Sequence, residues 1–162
     1  MGILPVTAAG HASFAVGLAR RALDEIQQLA IEKTRMGDLS TLAHRETFQR
    51  NLAHHEGMWR AAHALISQTY TEVETRIDDG SALAVQDRID MRIASTYATE
   101  ACKQIVDFAH LSAGTASIRD GNLIERIFRD MHTATQHTFI GEKTYTESAK
   151  IMLGLQQDST AV

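Results

Sequence analysis

The chain has 162 residues, a formal net charge of −4 and 44% hydrophobic residues. This length is typical of one domain with a sizeable buried core, and the moderate charge content excludes a disordered or fibrous chain. The weak acidity gives no electrostatic footprint for nucleic acid or for an anionic membrane surface. One proline and ten glycines are too few for an all-β protein with many turns.

The cysteine content and the apolar stretches indicate the compartment. The single cysteine, Cys102, cannot form an internal disulfide, which is typical of a protein from the reducing cytoplasm. The longest mostly apolar stretch, residues 8–19, is too short to cross a membrane. The basic pair Arg20 and Arg21 follows this stretch, whereas a secretory signal has its basic residues first. We therefore expect a cytoplasmic protein without a membrane partner.

Helical periodicity dominates from the first segment onward. Apolar residues recur at intervals of three and four from Ala12 to Ala30, so they form one stripe on a helix. This helix is expected to end near residues 35–37, where Gly37 is a helix stop. Three polar residues that follow are candidates to cap the next helix: Asp38, Ser40 and Thr41.

Three further helices and one weaker helical segment are predicted after this turn. Their predicted bounds are residues 43–77, 82–111, 123–137 and, for the weaker segment, 143–155. Ser81 is the expected cap of the third helix, small residues at 112–117 form an irregular connection, and residues 156–162 are predicted to be a loose tail. Long helices joined by short turns are antiparallel neighbours, so the predicted fold is a single-domain, all-α, antiparallel up-and-down helical bundle.

The histidines and the cysteine do not form a recognisable metal or nucleophile motif. His54 and His55 are adjacent, so on a helix their side chains point about 100° apart and cannot chelate one ion. Asp107 and His110 share a face, but a di-metal bundle needs two Glu-x-x-His motifs, and the sequence has none. Cys102 lies mid-helix among apolar residues, where a buried, inert thiol is expected.

One polar constellation lies in the fourth helix. Arg126 and Asp130 are four residues apart and are predicted to form an ion pair on one helix face. His137 lies two helical turns beyond Asp130, so it is predicted on the same face, at an end of the bundle. The alternative is an ordinary solvated face with a C-terminal histidine that the helix dipole favours.

Residues 128–137, FRDMHTATQH, resemble a signature of the C-terminal helical domain of the acyl-CoA dehydrogenase superfamily, type 2 branch. Residues 107–116, DFAHLSAGTA, resemble a helix end and small-residue turn of that domain, and residues 17–24, GLARRALD, resemble its first helix. The resemblance covers about residues 8–155. The branch includes the oxygenase components of two-component monooxygenases, which use reduced flavin to hydroxylate phenols and related compounds or to oxidise sulfur and nitrogen.

The resemblance implies a place for this chain in a larger assembly. A full subunit of the superfamily has an N-terminal helical domain, a β-barrel and this bundle, so residues 1–162 would be a single C-terminal-type bundle domain without the other two. Such bundles form homotetramers, and reduced FMN or FAD lies between the β-domain, its own bundle and a neighbouring bundle. The implied partners are further copies of the chain, a flavin reductase and a small aromatic substrate.

The resemblance also implies functional residues. His137 corresponds to the catalytic histidine beside the flavin, which assists substrate activation or the flavin–oxygen adduct. Arg35 lies where the dehydrogenases have an arginine that reaches a neighbour's flavin phosphates, although the phenylalanine that usually follows it is Met36 here. Gln49 resembles a glutamine of the second helix that contacts the flavin across the subunit interface.

The same resemblance favours one branch over the other. Arg129 and Asp130 correspond to a pair that clamps the bundle, and many dehydrogenases have their catalytic glutamate soon after it. This chain has His137, Thr138 and Phe139 there, so the missing carboxylate and the histidine favour a monooxygenase. Three alternatives stay open: a non-catalytic helical oligomerisation module, a fragment of an acyl-CoA dehydrogenase and, more remotely, a helical metal protein.

Overall fold

The computed structural model describes residues 3–34, 37, 39–78, 80–160 and 162, with the backbone alone for Ile3. Over these residues it contains α-helices and two short 3₁₀ turns but no strand. The helices are α1 (Ile3–Glu32), α2 (Glu46–Asp78), α3 (Val85–Ala113), α4 (Leu123–Ala134) and α5 (Glu142–Met152), with 3₁₀ turns at Leu42–His44 and Gly114–Ile118. None of the described helices combines the length and apolarity that a membrane span needs. The predicted all-α bundle is confirmed.

Helices α1 to α4 form the bundle, and α3 is its centre. α3 packs most extensively against α1 and then α2, while α4 contacts both α1 and α3. The ammonium of Lys33, just after α1, donates a hydrogen bond to the carbonyl of Ala113 at the end of α3. The two helices therefore end at the same end of the bundle and run in the same direction. Parallel helices cannot be joined by a tight turn, so α2 returns the chain between them.

Two aromatic side chains set α2 antiparallel to α1. The indole Nε1–H of Trp59 donates to the carbonyl of Val16 at 3.0 Å. Three turns later, the hydroxyl of Tyr70 donates to the carbonyl of Pro5 at 3.0 Å. Later residues of α2 therefore lie against earlier residues of α1. This fixes the direction and the register of the pair at once.

The interface between α1 and α3 consists mainly of small side chains. Its buried members are Ala12, Ala15, Ala19 and Ala22 of α1 and Ala98, Cys102, Ala109 and Ala113 of α3. Larger buried residues, among them Leu23, Ile26 and Ile105, fill the space beside this seam. Burial raises the pKa of the Cys102 thiol to about 12, so the expectation of a buried, unreactive cysteine is confirmed.

The ends of α1 and α2 differ from the prediction. α1 ends at Glu32, before the predicted stop, and Gly37 has a φ of +87°, the left-handed conformation that favours glycine. α2 begins at Glu46, too far along the chain for Ser40 or Thr41 to cap it. Thr41 instead precedes a 3₁₀ turn, and its hydroxyl pairs with a ring nitrogen of His44 at 3.0 Å. Asp38 lies outside the described residues.

The start of α3 also differs from the prediction. Ser81 does not cap this helix; Ala84 occupies the N-cap position. The amide of Ala84 donates instead to the carboxylate of Asp87 at 2.9 Å, so an acid in the first turn provides the capping interaction from inside the helix. At the other end, Gly114 has a φ of +55°, and its amide bonds back to the carbonyls of α3. α3 therefore includes the first residues of the segment predicted to be irregular.

The predicted start and apolar face of the fourth helix agree with the structure, but the helix ends before His137. α4 covers Leu123–Ala134, and the side chain of Asn122 accepts a hydrogen bond from the amide of Ile124 at 2.9 Å. The buried residues Ile124, Ile127 and Met131 form its apolar face.

The C-terminal residues dock on α3, so the prediction of a loose tail is wrong. Arg88 donates to the carbonyls of Ser159 and Val162 at 3.4 and 3.1 Å and pairs with the carboxylate of Asp158 at 2.6 Å. Val162 is only 2% exposed. Glu147 of α5 also accepts hydrogen bonds from Gln156 at 3.1 Å and Ser159 at 2.9 Å. The sequence pattern missed these contacts because the main partner, Arg88, lies 70 residues earlier in the chain than Asp158.

Replacement of Ile26 by alanine tests the importance of the α1–α3 core. Ile26 is 0% exposed, so Ile26→Ala is expected to lower the free energy of unfolding by about 2–5 kcal/mol through lost burial and a residual cavity. Ile31→Ala is the matched control on the same helix: Ile31 is 62% exposed, and the expected change is below about 0.5 kcal/mol. Urea denaturation measures both. Equal losses would contradict the assigned core.

Candidate functional site

His137 lies in the turn that follows α4. Its amide donates to the carbonyl of Ala134 at 3.2 Å, and its own carbonyl accepts from the amide of Ile140 at 2.9 Å. Because α4 ends at Ala134, the prediction that His137 shares a helix face with Arg126 and Asp130 is wrong. The side chain is nevertheless positioned at one end of the bundle.

Three contacts hold the imidazole of His137. Its Nδ1 accepts a hydrogen bond from the backbone amide of Phe139 at 3.3 Å, which assigns the proton of the neutral ring to Nε2. The ring lies 4.1 Å from the ring of His11, centroid to centroid, with the planes inclined by 40°. The ring of Phe139 presents its edge at 4.9 Å. Nε2 is therefore the nitrogen that remains for a ligand.

His11 connects this imidazole to an open cleft of about 750 Å³. The cleft lies between α1 and α4 and is lined by Thr7, Gly10, His11, Phe14, Asp130, Thr133 and Ala134. Phe14 is 46% exposed, which is unusual for a phenylalanine and gives the cleft an apolar wall. Burial and then the nearby His137 lower the pKa of His11, so the His11 ring is neutral at pH 7. Sequence reasoning missed His11, which looks like an isolated polar residue in an alanine-rich helix.

Asp130 and Arg129 do not bridge helices. The carboxylate of Asp130 lies 3.8 Å from the guanidinium of Arg126, as predicted for an i,i+4 pair, and both are exposed. Arg129 pairs with Glu125 of its own helix at 2.5 Å. The predicted clamp by Arg129 and Asp130 is therefore absent from the described residues. Asp130 instead gives the cleft beside His11 a carboxylate.

Gln49 lies in the first turn of α2, where its side chain is exposed. Its carboxamide donates to the carbonyl of Ala43 at 2.8 Å, which orients it across the start of the helix. Its neighbours line a second cavity of about 500 Å³ between α2 and α3, whose walls include the stacked rings of Phe48, Phe108 and His55. Arg35, the other predicted flavin contact, lies outside the described residues.

The structure does not bring Gln49 and His137 together within one chain. His137 packs against His11 near the start of α1, whereas the chain before Gln49 is attached to the end of α1, where the amide of Leu42 donates to the carbonyl of Lys33 at 2.8 Å. By the register that Trp59 and Tyr70 set, Gln49 lies level with about residue 26 of α1, which is about 22 Å along the helix axis from the level of His11.

Asp107 and His110, the acid and the histidine that share a face of α3, connect this helix to α4. The Asp107 carboxylate binds His132 of α4 at 2.8 Å and Lys103 at 2.7 Å, while His110 stacks on Phe128. Burial alone would raise the pKa of Asp107, but the hydrogen bonds from Lys103 and His132 hold it below its usual range. In the part of the chain that is described, no three histidine, cysteine or acidic residues are arranged to hold a metal ion.

The fold defines a helical bundle domain with one candidate surface near His137 and another near Gln49. Comparison with known families identifies this domain. Residues 9–142 match the family described as "Acyl-CoA dehydrogenase, C-terminal domain". The match covers most of the chain, so the chain belongs to this family. The resemblance found in the sequence motifs is thereby confirmed.

Curated relatives and solved structures agree with this family. Indole-3-acetate monooxygenase of Acinetobacter baumannii is 29% identical over 141 residues, which are 87% of this chain and 36% of the relative. The oxygenase component of p-hydroxyphenylacetate 3-hydroxylase from Acinetobacter baumannii is 23% identical over 98% of this chain and 38% of its own. The chain therefore spans little more than a third of the length of these relatives.

Two solved structures have the same fold. XiaF from Streptomyces sp., in complex with FADH2 and glycerol, superposes with a TM-score of 0.89 at 19% identity, over 98% of this chain and 41% of that protein. Butyryl-CoA dehydrogenase from Megasphaera elsdenii superposes with a TM-score of 0.77 at 18% identity, over 93% of this chain and 37% of that protein. At these identities the likeness establishes the fold alone.

The neutral state of His11 leads to a prediction about pH. The pKa of His11 is lowered on folding, so the unfolded chain binds more protons near this value, and stability is expected to fall as the pH drops from 7 to 5. His55, whose pKa burial also lowers, contributes in the same direction. His11→Gln should therefore reduce part of the dependence of stability on pH. Urea denaturation midpoints between pH 5 and pH 8 measure this dependence.

Phe14→Leu is the control for this comparison. Phe14 lines the same cleft, one turn from His11, but does not titrate. This variant is expected to shift all midpoints equally and to leave their pH dependence as in the parent chain. An undiminished pH dependence in His11→Gln would contradict the assignment of a proton-linked cost to His11.

Proposed function

We propose that this chain is the flavin-contacting, oligomer-forming C-terminal domain of a cytoplasmic oxygenase component of a two-component monooxygenase. The complete enzyme would take reduced FMN or FAD from a flavin reductase and hydroxylate a small aromatic substrate. The placement of His137 beside an open apolar cleft, with Nδ1 engaged by the backbone and Nε2 left over, carries the proposal. The names of the curated relatives, an indole-3-acetate monooxygenase and a p-hydroxyphenylacetate 3-hydroxylase component, support the reaction class.

Two imidazoles fit this chemistry: that of His137 because its orientation is fixed, and that of His11 because it is neutral at pH 7. Reduced flavin, when bound, supplies the activation of dioxygen. The chain supplies a fixed imidazole, whose Nε2 can hydrogen-bond an oxygen atom or exchange a proton with a phenol. The apolar wall at Phe14 provides a surface for a planar ring and excludes water from it. His11, which lines the cleft and contacts His137, is neutral at pH 7 and adds no positive charge to this surface.

The separation of Gln49 from His137 supports a site shared by neighbouring subunits. The two residues lie about 22 Å apart along the bundle axis, near different surfaces of the chain. If both contact flavin, as the family resemblance implies, each flavin meets His137 of one copy and Gln49 of another. The exposed carboxamide of Gln49 and the exposed Leu111 beside its cavity are available for such a contact. The homotetramer implied by the resemblance would provide it.

Replacement of His137 tests the catalytic assignment. In the full-length enzyme that contains this domain, His137→Ala is expected to lower the rate of hydroxylation by about 10²-fold or more, the usual effect of losing a general acid or base. Binding of reduced flavin and the thermal midpoint should stay close to the parent values, because the ring is half-buried in a turn. Single-turnover mixing of the reduced enzyme with oxygenated substrate measures the step. Unchanged turnover would refute the role of His137.

A second candidate function has one observation in its favour. Asp130 lines the cleft beside His11, so this cleft contains a carboxylate that can act as a base. Asp130→Asn distinguishes the two functions in the same full-length enzyme. Dehydrogenation of an acyl-CoA that is lost in Asp130→Asn but kept in His137→Ala would favour the dehydrogenase. Hydroxylation with the opposite pattern would favour the monooxygenase.

Mixed oligomers test the shared site. Gln49→Trp places a bulky ring on an exposed position, so it should block flavin binding from that end without harming the bundle. Co-expression of His137→Ala subunits with Gln49→Trp subunits should restore activity, because some sites then combine an intact His137 with an intact neighbouring Gln49. The comparison is turnover of the purified mixed oligomer against the mean of the two single variants. No gain over that mean would contradict a shared site.

A further inference from the structure

Arg92 is a buried arginine without an acidic partner among the described residues. Its side chain belongs to α3, and the residue is only 3% exposed. Nη1 donates to the backbone carbonyl of Phe139, and Nη2 donates to the hydroxyl of Thr144 at 2.8 Å. The third donor, Nε, is buried and has no hydrogen-bond partner in the described part of the chain. Burial lowers the pKa of Arg92, but not far enough to discharge a guanidinium at pH 7.

Such an arrangement does not serve stability well. A buried cation that no carboxylate compensates keeps most of its desolvation cost, and an unsatisfied N–H adds to it. Replacement of buried charges by apolar side chains of similar volume is often neutral or stabilising. The chain nevertheless has an arginine here, so the reason for it is better sought in what Arg92 holds.

What Arg92 holds is the turn that carries His137. Both backbone polar groups of Phe139 are bonded: its amide donates to Nδ1 of His137, and its carbonyl, in the next peptide plane, accepts from Arg92. The second acceptor, Thr144, lies in the first turn of α5 and is buried. One planar guanidinium therefore ties the central helix α3 to both ends of the segment 139–144. The orientation of Phe139 in turn sets the tautomer and the tilt of the imidazole.

We propose that Arg92 is the positioning residue for His137. It acts through the backbone of Phe139, touches neither flavin nor substrate, and fixes the imidazole with the proton on Nε2. The fork of guanidinium donors lets one side chain reach the Phe139 carbonyl and the Thr144 hydroxyl together, and the bond to Phe139 is the one that positions His137. The consequence for catalysis rests on the proposed function; the effect on the ring of His137 does not.

The first experiment uses this 162-residue chain and nuclear magnetic resonance. Arg92→Met keeps the approximate volume and removes all donors. The amide of Phe139 is expected to exchange with solvent at least tenfold faster, and the ring nitrogens of His137 are expected to change from one tautomer, with the proton on Nε2, to a mixture. The thermal midpoint should not fall. Thr144→Val is the matched control: it removes the other acceptor and should leave the Phe139 amide within about twofold of the parent.

Each outcome of this experiment decides for or against the proposal. A folded Arg92→Met chain with unchanged Phe139 exchange and an unchanged His137 tautomer would overturn it. Should Arg92→Met fail to fold, Arg92→Lys decides, because lysine keeps the charge but lacks the fork. Faster Phe139 exchange and mixed His137 tautomers in folded Arg92→Lys support the proposal, and parent-like values of both overturn it.

The second experiment separates positioning from any other effect of Arg92 on the reaction. In the full-length enzyme, Arg92→Lys is expected to lower kcat about tenfold with little change in KM. In a His137→Ala background the same change should have no further effect, since the group that Arg92 positions is already gone. An equal loss in both backgrounds would show that Arg92 acts elsewhere. If His137→Ala itself proves harmless, the proposed function fails, while the tautomer measurement still tests the positioning.

Discussion

The close, parallel packing of α1 against α3 is the constraint on which the rest of the structure depends. The seam is built from alanines and Cys102, so each residue removes little apolar surface from water and contributes little free energy. Such a seam must be long to stabilise the fold, and α1 and α3 have 30 and 29 residues. Because the two helices are parallel, α2 must return along their full length, and α4 covers the groove that remains. The shape of the bundle follows from this one contact.

The length of the seam also separates the two candidate surfaces. Imidazoles and the open cleft occupy one end, while Gln49 and the cavity walled by Phe48, Phe108 and His55 occupy the other. Neither surface encloses a ligand, since both are open on the sides that α1 to α4 do not cover. A domain of this shape can serve as the wall of two different sites and complete neither. That property agrees with a family whose members are two to three times longer than this chain.

The sequence allowed the bundle, the start of α4 and its apolar face to be predicted, because each depends on local signals. The stripe of Ile124, Ile127 and Met131 and the cap at Asn122 are such signals. The end of α4 is different: Thr135 bonds through its hydroxyl to the carbonyl of His132 and so competes with the helix, but no glycine or proline marks the change. His137 was therefore placed on a helix that stops before it. The docked tail and the capping role of Asp87 likewise depend on partners that periodicity does not identify.

The buried polar face in the first half of α3 shows most clearly what periodicity in the sequence does not identify. Arg92, Ser95, Thr96 and Thr99 are all buried, although a helix with this composition is normally expected to face water. What covers this face near Arg92 includes an irregular turn, and irregular backbone has carbonyls that helices do not satisfy internally. A donor such as Arg92 orients that turn by bonding one of these carbonyls. Arg92 is thus matched to the backbone of the segment that holds His137, and this match becomes visible only once the two segments are seen together.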